Sequence, residues 1–250
     1  MRLADLTAYL DQYLRIRDAP DYPEALNGLQ VENAGEVTRI GAAVDLCEAT
    51  IELAAVQGVD LLLVHHGLFW GDLQPLVGPR QRRIAGLMRH NIAVYSAHLP
   101  LDRHPEVGNN AVLASALGVA LRGEFGKHDG VPIGIWGELR MDRAALQEKI
   151  ATVLGPVPRL LPFGPAATRL VGIITGAGGS MIGDAAAAGL DTYITGEGPH
   201  HTFFDAEELR LNVFYAGHYA TETTGVKALA EHVSAAFRIP WNFLDHPTGL

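Results

Sequence analysis

The sequence predicts an α/β protein built of two related α/β halves, an internal duplication, with a smaller α+β segment inserted between them. Three observations carry this reading. Buried-strand runs alternate with helical periodicity toward both ends of the chain. The two ends align on one another, and a middle stretch rich in Gly and Pro interrupts the rhythm.

In chain order, Leu3 to Leu14 places apolar residues at helical spacing, and Val37 to Leu46 reads as a short buried strand. A helix follows from about Ala49 to Gln57, and Gly58 stops it. Val59 to Val64 is a continuous apolar run, the pattern of a strand buried on both faces, and it ends abruptly in His65-His66-Gly67. A helix near Gln81 to Arg89, a strand from Ile92 to Ala97 and a helix near Asn109 to Leu117 complete the first half, residues 1–122. Residues 123–165 form the insertion and linker: Gly-rich alternation to Arg140, an amphipathic helix from Asp142 to Leu154, then four prolines between Gly155 and Pro165. The second half, 166–250, resumes with a strand at Leu170 to Thr175, a Gly-rich turn, a helix to Ala188 and a strand at Thr192 to Thr195. A helix Asp205 to Leu209, a strand Asn212 to Ala216, a helix Thr224 to Phe237 and a strand near Trp241 to Leu244 close the chain.

Residues 55–64 align without gaps on 186–195, each a helix end, a Gly stop, an Asp and a strand. Residues 91–98 align likewise on 211–218, which sets His98 opposite His218, and each histidine precedes a carboxylate by four positions, Asp102 or Glu222. The shared histidine and acid make duplication a better explanation than chance.

Composition narrows the function. With 250 residues, 48% hydrophobic and 19% charged, the chain can bury a sizeable core. Its 28 Asp+Glu against 19 Lys+Arg give a formal charge of −9, which disfavours nucleic acid as a partner. The single cysteine, Cys47, leaves no intramolecular disulfide to form. Neither a signal-peptide pattern nor an apolar run of membrane-spanning length is present, so a cytoplasmic location and no membrane partner are expected.

Imidazoles and carboxylates then gather at strand ends: His65-His66, His98 with Asp102, and His218 with Glu222. In α/β folds such ends are where site groups converge. Consecutive side chains on an extended segment point oppositely, so His65 and His66 do not readily bind one ion in the same way. Two adjacent ions resolve that geometry and suit hydrolysis by an activated water. Imidazole and carboxylate without thiolate fit Zn, Fe, Mn, Co or Ni. A lone histidine in a buried position is more often a satisfied core residue; several with two acids at equivalent strand ends are not so easily dismissed.

With these motifs in hand, the chain resembles the Nif-three-like dinuclear-metal family, many of whose members are labelled GTP cyclohydrolase 1 type 2 homologues. The resemblance rests on Asn27-Gly28-Leu29-Gln30-Val31, Val64-His65-His66-Gly67-Leu68-Phe69-Trp70, His98-Leu99-Pro100-Leu101-Asp102, Thr195-Gly196-Glu197 and Ala216-Gly217-His218-Tyr219-Ala220-Thr221-Glu222. It implies two divalent metal ions per subunit, with His65, His66, Asp102, His218 and Glu222 as ligands and Glu222 shared. It also implies a homohexamer, a ring of dimers. Two residues are expected to act beside the ions: His98, as an outer-shell partner or weak ligand, and Glu197, aligned with His66, as a general acid or base. The implied activity is that of a metal-dependent hydrolase with a metal-bound hydroxide as nucleophile, cyclohydrolase-like or a phosphoesterase, on a small molecule that includes nucleotides among the options. The alternative is a non-enzymatic metal-binding or metal-delivery adaptor working as a ring.

Weaker signals complete the reading. Gly176-Ala177-Gly178-Gly179-Ser180 opens a helix where backbone amides can cradle a phosphate, with only part of the nucleotide-loop pattern. Trp70 and Phe69 are expected to pack a rim, and His200 and His201 to start a solvated helix. Asp45 is expected to cap the following helix, with a role in the cavity left open by its place at a strand carboxyl end, and His90, His104, His128, His232 and His246 are expected to lie at the surface.

Overall fold

The computed structural model describes residues 1–71 and 73–250, and its chain divides into two compact units. The first comprises Met1–Val107 and Gly225–His246, the second Gly108–Thr224 and Pro247–Leu250. In chain order the first unit carries α1 (Leu3–Tyr13), β1 (Gly28–Val31), β2 (Ile40–Asp45), α2 (Glu48–Val56), β3 (Leu61–His66), α3 (Gly78–His90), β4 (Ala93–Ser96) and α4 (Leu99–Asp102). The second carries α5 (Asn109–Leu117), β5 (Ala120–His128), β6 (Val131–Asp142), α6 (Arg143–Leu154), β7 (Arg159–Pro162), β8 (Ala167–Ile174), a 3₁₀ turn at Gly178–Met181, α7 (Ile182–Ala187), β9 (Thr192–Thr195), α8 (Thr202–Glu208) and β10 (Asn212–Tyr215). Helix α9 (His218–Phe237) contains the division, and β11 (Trp241–Phe243) belongs to the first unit.

The first unit's sheet has the order β1-β4-β3-β2-β11. β11, β2, β3 and β4 run parallel, and β1 lies antiparallel on β4. All of β3 is buried except His66, as the unbroken apolar run requires of a central parallel strand. Leu62, Val64, Val94, Ile92 and Leu87 share one core cluster with Ile51 and Ala54 of α2. The cap of α2 differs from expectation. Cys47 occupies the N-cap, and its amide donates to the Thr50 hydroxyl, which in turn donates to the Asp45 carbonyl. The Asp45 side chain is engaged elsewhere.

In the second unit the order is β5-β6-β8-β9-β10-β7. β8, β9 and β10 are parallel, while β5, β6 and β7 pair antiparallel. Strands of the 123–165 segment thus flank both sides of a parallel core. The stretch after Gly155, expected as a linker, forms β7 on β10 and buries Leu161. Val171, Ile173, Ile194 and Phe214 pack with Leu113 and Leu117 of α5 and with Leu146 and Ile150 of α6.

The two parallel cores repeat one interaction. Asp60 accepts from the Thr38 and Arg39 amides at the entrance to β2, at 2.8 and 3.1 Å. Asp191, its aligned counterpart, accepts from the Arg169 and Leu170 amides of β8, at 3.1 and 2.9 Å. Each carboxylate ties a parallel strand to the start of its neighbour by charge-assisted bonds to backbone donors. The second aligned pair, however, is out of register by one residue. Val64 pairs with Ser96, and Thr195 pairs with Tyr215, so His98 is equivalent to Gly217 rather than to His218. Strand hydrogen bonding fixes register, and the sequence match of the two histidines had slipped past it.

Among the described residues no helix is long and apolar enough to cross a membrane.

Candidate metal centre

In the first unit β3 delivers His65 and His66 at its carboxyl end, the turn from β4 into α4 delivers His98, and the end of α4 delivers Asp102. One ligand atom from each of His65, His66 and His98 lies within 4.8 Å of the others. His65 Nε2 stands 3.6 Å from Asp102 Oδ2. Two ligands at ~2.1 Å from a common ion are about 3–4 Å apart, so these spacings suit metal coordination with small adjustment.

Each of the three imidazoles is held through Nδ1. His65 Nδ1 donates to the Ala97 carbonyl at 2.9 Å, His66 Nδ1 to Asp45 at 2.8 Å and His98 Nδ1 to Asp21 at 2.8 Å. Such acceptors fix the tautomer with its lone pair on Nε2, the atom a metal takes, and raise its basicity. Asp45 was expected to cap α2; instead it orients His66, because the Cys47–Thr50 pair already supplies the cap.

Asp21 is a site residue the sequence reading missed. Its side chain is only 6% exposed. Besides His98 it accepts from the Leu99 amide at 3.0 Å and the Asn27 side-chain amide at 2.8 Å, and Asn27 Oδ1 accepts from the His98 amide. Burial alone would raise its pKa, but the hydrogen bond and charge of His98, with Asn27 and the Tyr22 amide, hold the carboxyl below the usual value. Gln30 Oε1 accepts from the Leu68 amide at 2.7 Å and so fixes the turn after the histidine pair. The Asn27-to-Val31 motif was therefore a signal for the site's supports. Trp70 and Tyr22 adjoin His98, with ring centroids at 4.8 and 5.7 Å.

In the second unit α9 begins at His218 rather than at Thr224, so His218 and Glu222 occupy i and i+4 on one helical face. Gly217, at φ +93°, makes the sharp entry from β10. His218 Nε2 lies 3.2 Å from Glu222 Oε2, and His218 Nδ1 donates to Glu197 Oε1 at 2.7 Å. The hydrogen bond that His218 donates to Glu222 raises the His218 pKa to about 9; burial opposes it, and the charge of Glu222 and the bond and charge of Glu197 add to it. Gly176 is needed where it stands, since a Cβ there would collide with the Glu222 carboxylate and its φ is +67°.

The glycine turn does not present a phosphate cradle. Gly178 and Gly179 are buried in a 3₁₀ turn, and the Gly179 amide donates to the Glu197 carbonyl at 3.0 Å. His104, expected at the surface, is buried beneath Tyr13, with ring centroids 4.4 Å apart, and His232 stacks on Tyr13 at 4.0 Å.

Taken unit by unit, this is an α/β protein that sets histidine and carboxylate groups at the carboxyl ends of parallel strands, with a donor set able to hold a metal ion. The chain belongs to the Duf34/NIF3 (NGG1p interacting factor 3) family, whose model matches residues 1–247. A Deinococcus radiodurans protein named GTP cyclohydrolase 1 type 2 homolog is 43% identical, over 98% of this chain and 94% of its own length. The crystal structure of TTHA1606 from Thermus thermophilus is 44% identical with a TM-score of 0.89, and a solved structure of the protein ybgI, described as of unknown function, is 36% identical with a TM-score of 0.93. Each covers all of both chains.

Proposed function

We propose that this chain is a metal-dependent hydrolase that binds two divalent ions, with His65, His66, Asp102, His218 and Glu222 as the ligands. The observation that supports it most is the convergence of His65, His66 and His98, with donor atoms within 4.8 Å and each anchored through Nδ1 to an oxygen, which leaves Nε2 of His65 and His66 for metal and Nε2 of His98 for proton transfer. A group of histidines kept merely for packing has no need of that common orientation. Divalent ions of the Zn, Fe, Mn, Co or Ni kind, when bound, supply Lewis acidity and lower the pKa of water.

The chain's own residues do the rest. Asp45 and the Ala97 carbonyl keep His66 and His65 in the ligand tautomer. Asp21 accepts from Nδ1–H of His98 and so keeps the lone pair on Nε2, which takes up a proton from the reacting water and later returns it to the leaving group. Glu197 orients His218 through one oxygen, and at 48% side-chain exposure it is open to solvent, as a general acid or base requires. The names of the relatives make GTP the first substrate to test, with phosphodiesters second. The assembly that goes with this reading is a hexameric ring of dimers in the cytoplasm.

Turnover of GTP and of bis(p-nitrophenyl) phosphate by metal-loaded protein tests the reading. Hydrolysis of one of them that falls at least ~100-fold in His65→Ala and Glu222→Ala is expected. Turnover retained by both variants refutes it.

A further inference from the structure

A second cavity lies wholly within the second unit, at the carboxyl ends of β9 and β10, and the metal reading makes no use of it. It encloses about 340 Å³. Arg159 and Leu161 of β7, Tyr215 of β10, the Gly198-Pro199-His200 turn, and Thr202, Phe203 and Phe204 at the start of α8 line it. Arg159 and Tyr215 are direct cross-strand partners in the antiparallel β7–β10 pair, so their side chains rise from the same face of the sheet.

The rings are arranged as walls. Phe204 stands edge to face with both His200 and Phe203, at centroid distances of 5.8 and 5.6 Å, and Phe163 braces Phe203 from behind at 5.1 Å. Phe204 is nonetheless 49% exposed, an uncommon cost for a phenylalanine at the mouth of a cavity. Polar groups sit beside the rings: the paired hydroxyls of Thr202 and Tyr215, 2.5 Å apart, and the exposed Arg159 guanidinium. No carboxylate belongs to the lining, although the chain as a whole carries −9. At the Tyr215 hydroxyl the positive charge of Arg159 outweighs the negative charge of Asp205.

We propose that this cleft binds a planar aromatic anion, a ring that carries a phosphate or carboxylate group. The ring stacks against Phe204 and Phe203, while the exposed Arg159 guanidinium receives the anionic group; the Tyr215 and Thr202 hydroxyls, which donate in turn to Thr202 and to the Pro199 carbonyl, close the polar side of the cleft. The volume fits a small molecule rather than a peptide segment. None of these residues is a proposed metal ligand, so binding requires no metal.

Calorimetric titration of the full chain with 1-naphthyl phosphate, in EDTA, tests this apart from the metal-centre reading. Saturable binding is expected, with inorganic phosphate and 1-naphthol each at least ~10-fold weaker, since either probe lacks half of the recognition. Arg159→Met should weaken 1-naphthyl phosphate about 10-fold and Phe204→Ala about 5-fold. Arg159 is exposed, so its variant keeps the test interpretable if Phe204→Ala folds poorly. No saturable binding, or equal affinities for wild type and both variants, overturns the proposal. So does a Phe204→Asp variant that converts an oligomer to monomers by light scattering, because a second copy of the chain would then be the occupant of the cleft.

Discussion

His218 shows how a single proton links the site to folding. Glu222, and less strongly Glu197, lift its pKa to about 9 in the metal-free chain, against about 6.5 in the unfolded chain. A raised folded value means stabilisation that is complete below about pH 6.5 and is lost as pH rises through about 9. Histidine NMR titration of metal-free protein should find this group near 9, and Glu222→Gln should bring it back toward 6.5. The carboxylates that hold the other imidazoles divide by task. Asp45→Asn should weaken metal binding ~10–100-fold, read by competition with a chelator. Asp21→Asn should leave the metal content unchanged and lower turnover ~100-fold or more, with a shifted pH profile, since it acts through the proton on His98. Asp45 was legible only as a strand-end carboxylate that could face the cavity, and Asp21 was not legible at all. Asp45 lies 21 residues from His66 and Asp21 lies 77 from His98, and no local spacing relates them. The tandem histidines were legible because they terminate an unbroken apolar run.

At the scale of elements, β3, β9 and α5 were readable because each carries a strong period or apolar run between clear stops. The first turn of α9 was hidden. His218-Tyr219-Ala220-Thr221-Glu222-Thr223 has no amphipathic pattern, since one face of that turn is given to His218 and Glu222. β7 was hidden among prolines, which an edge strand tolerates. The slip between His98 and Gly217 has the same origin: side-chain identity suggested one register, and backbone pairing imposes another. Close packing of elements makes Gly176 a sensitive point. Gly176→Ala should destabilise the protein by roughly 1–3 kcal/mol in urea unfolding, from the φ of +67° and the clash with Glu222.

For the whole molecule, the duplication explains why two units of different strand order share a parallel core and an Asp clamp at the same place. The fold class was accessible from the sequence because that core repeats. The path of the chain was less so, because residues 225–246 rejoin the first unit after the second is complete, and only tertiary packing decides such a return. Belonging to the Duf34/NIF3 family fixes the kinship but not the reaction. The central proposal is that His65, His66, Asp102, His218 and Glu222 hold two ions per chain. Elemental analysis after equilibrium dialysis against Zn, Mn or Fe tests it most directly. The account predicts two ions per chain in the wild type, with loss of at least one in His65→Ala and, separately, in Glu222→Ala. Wild-type protein that retains no metal, or variants that both keep the wild-type metal content, would contradict it.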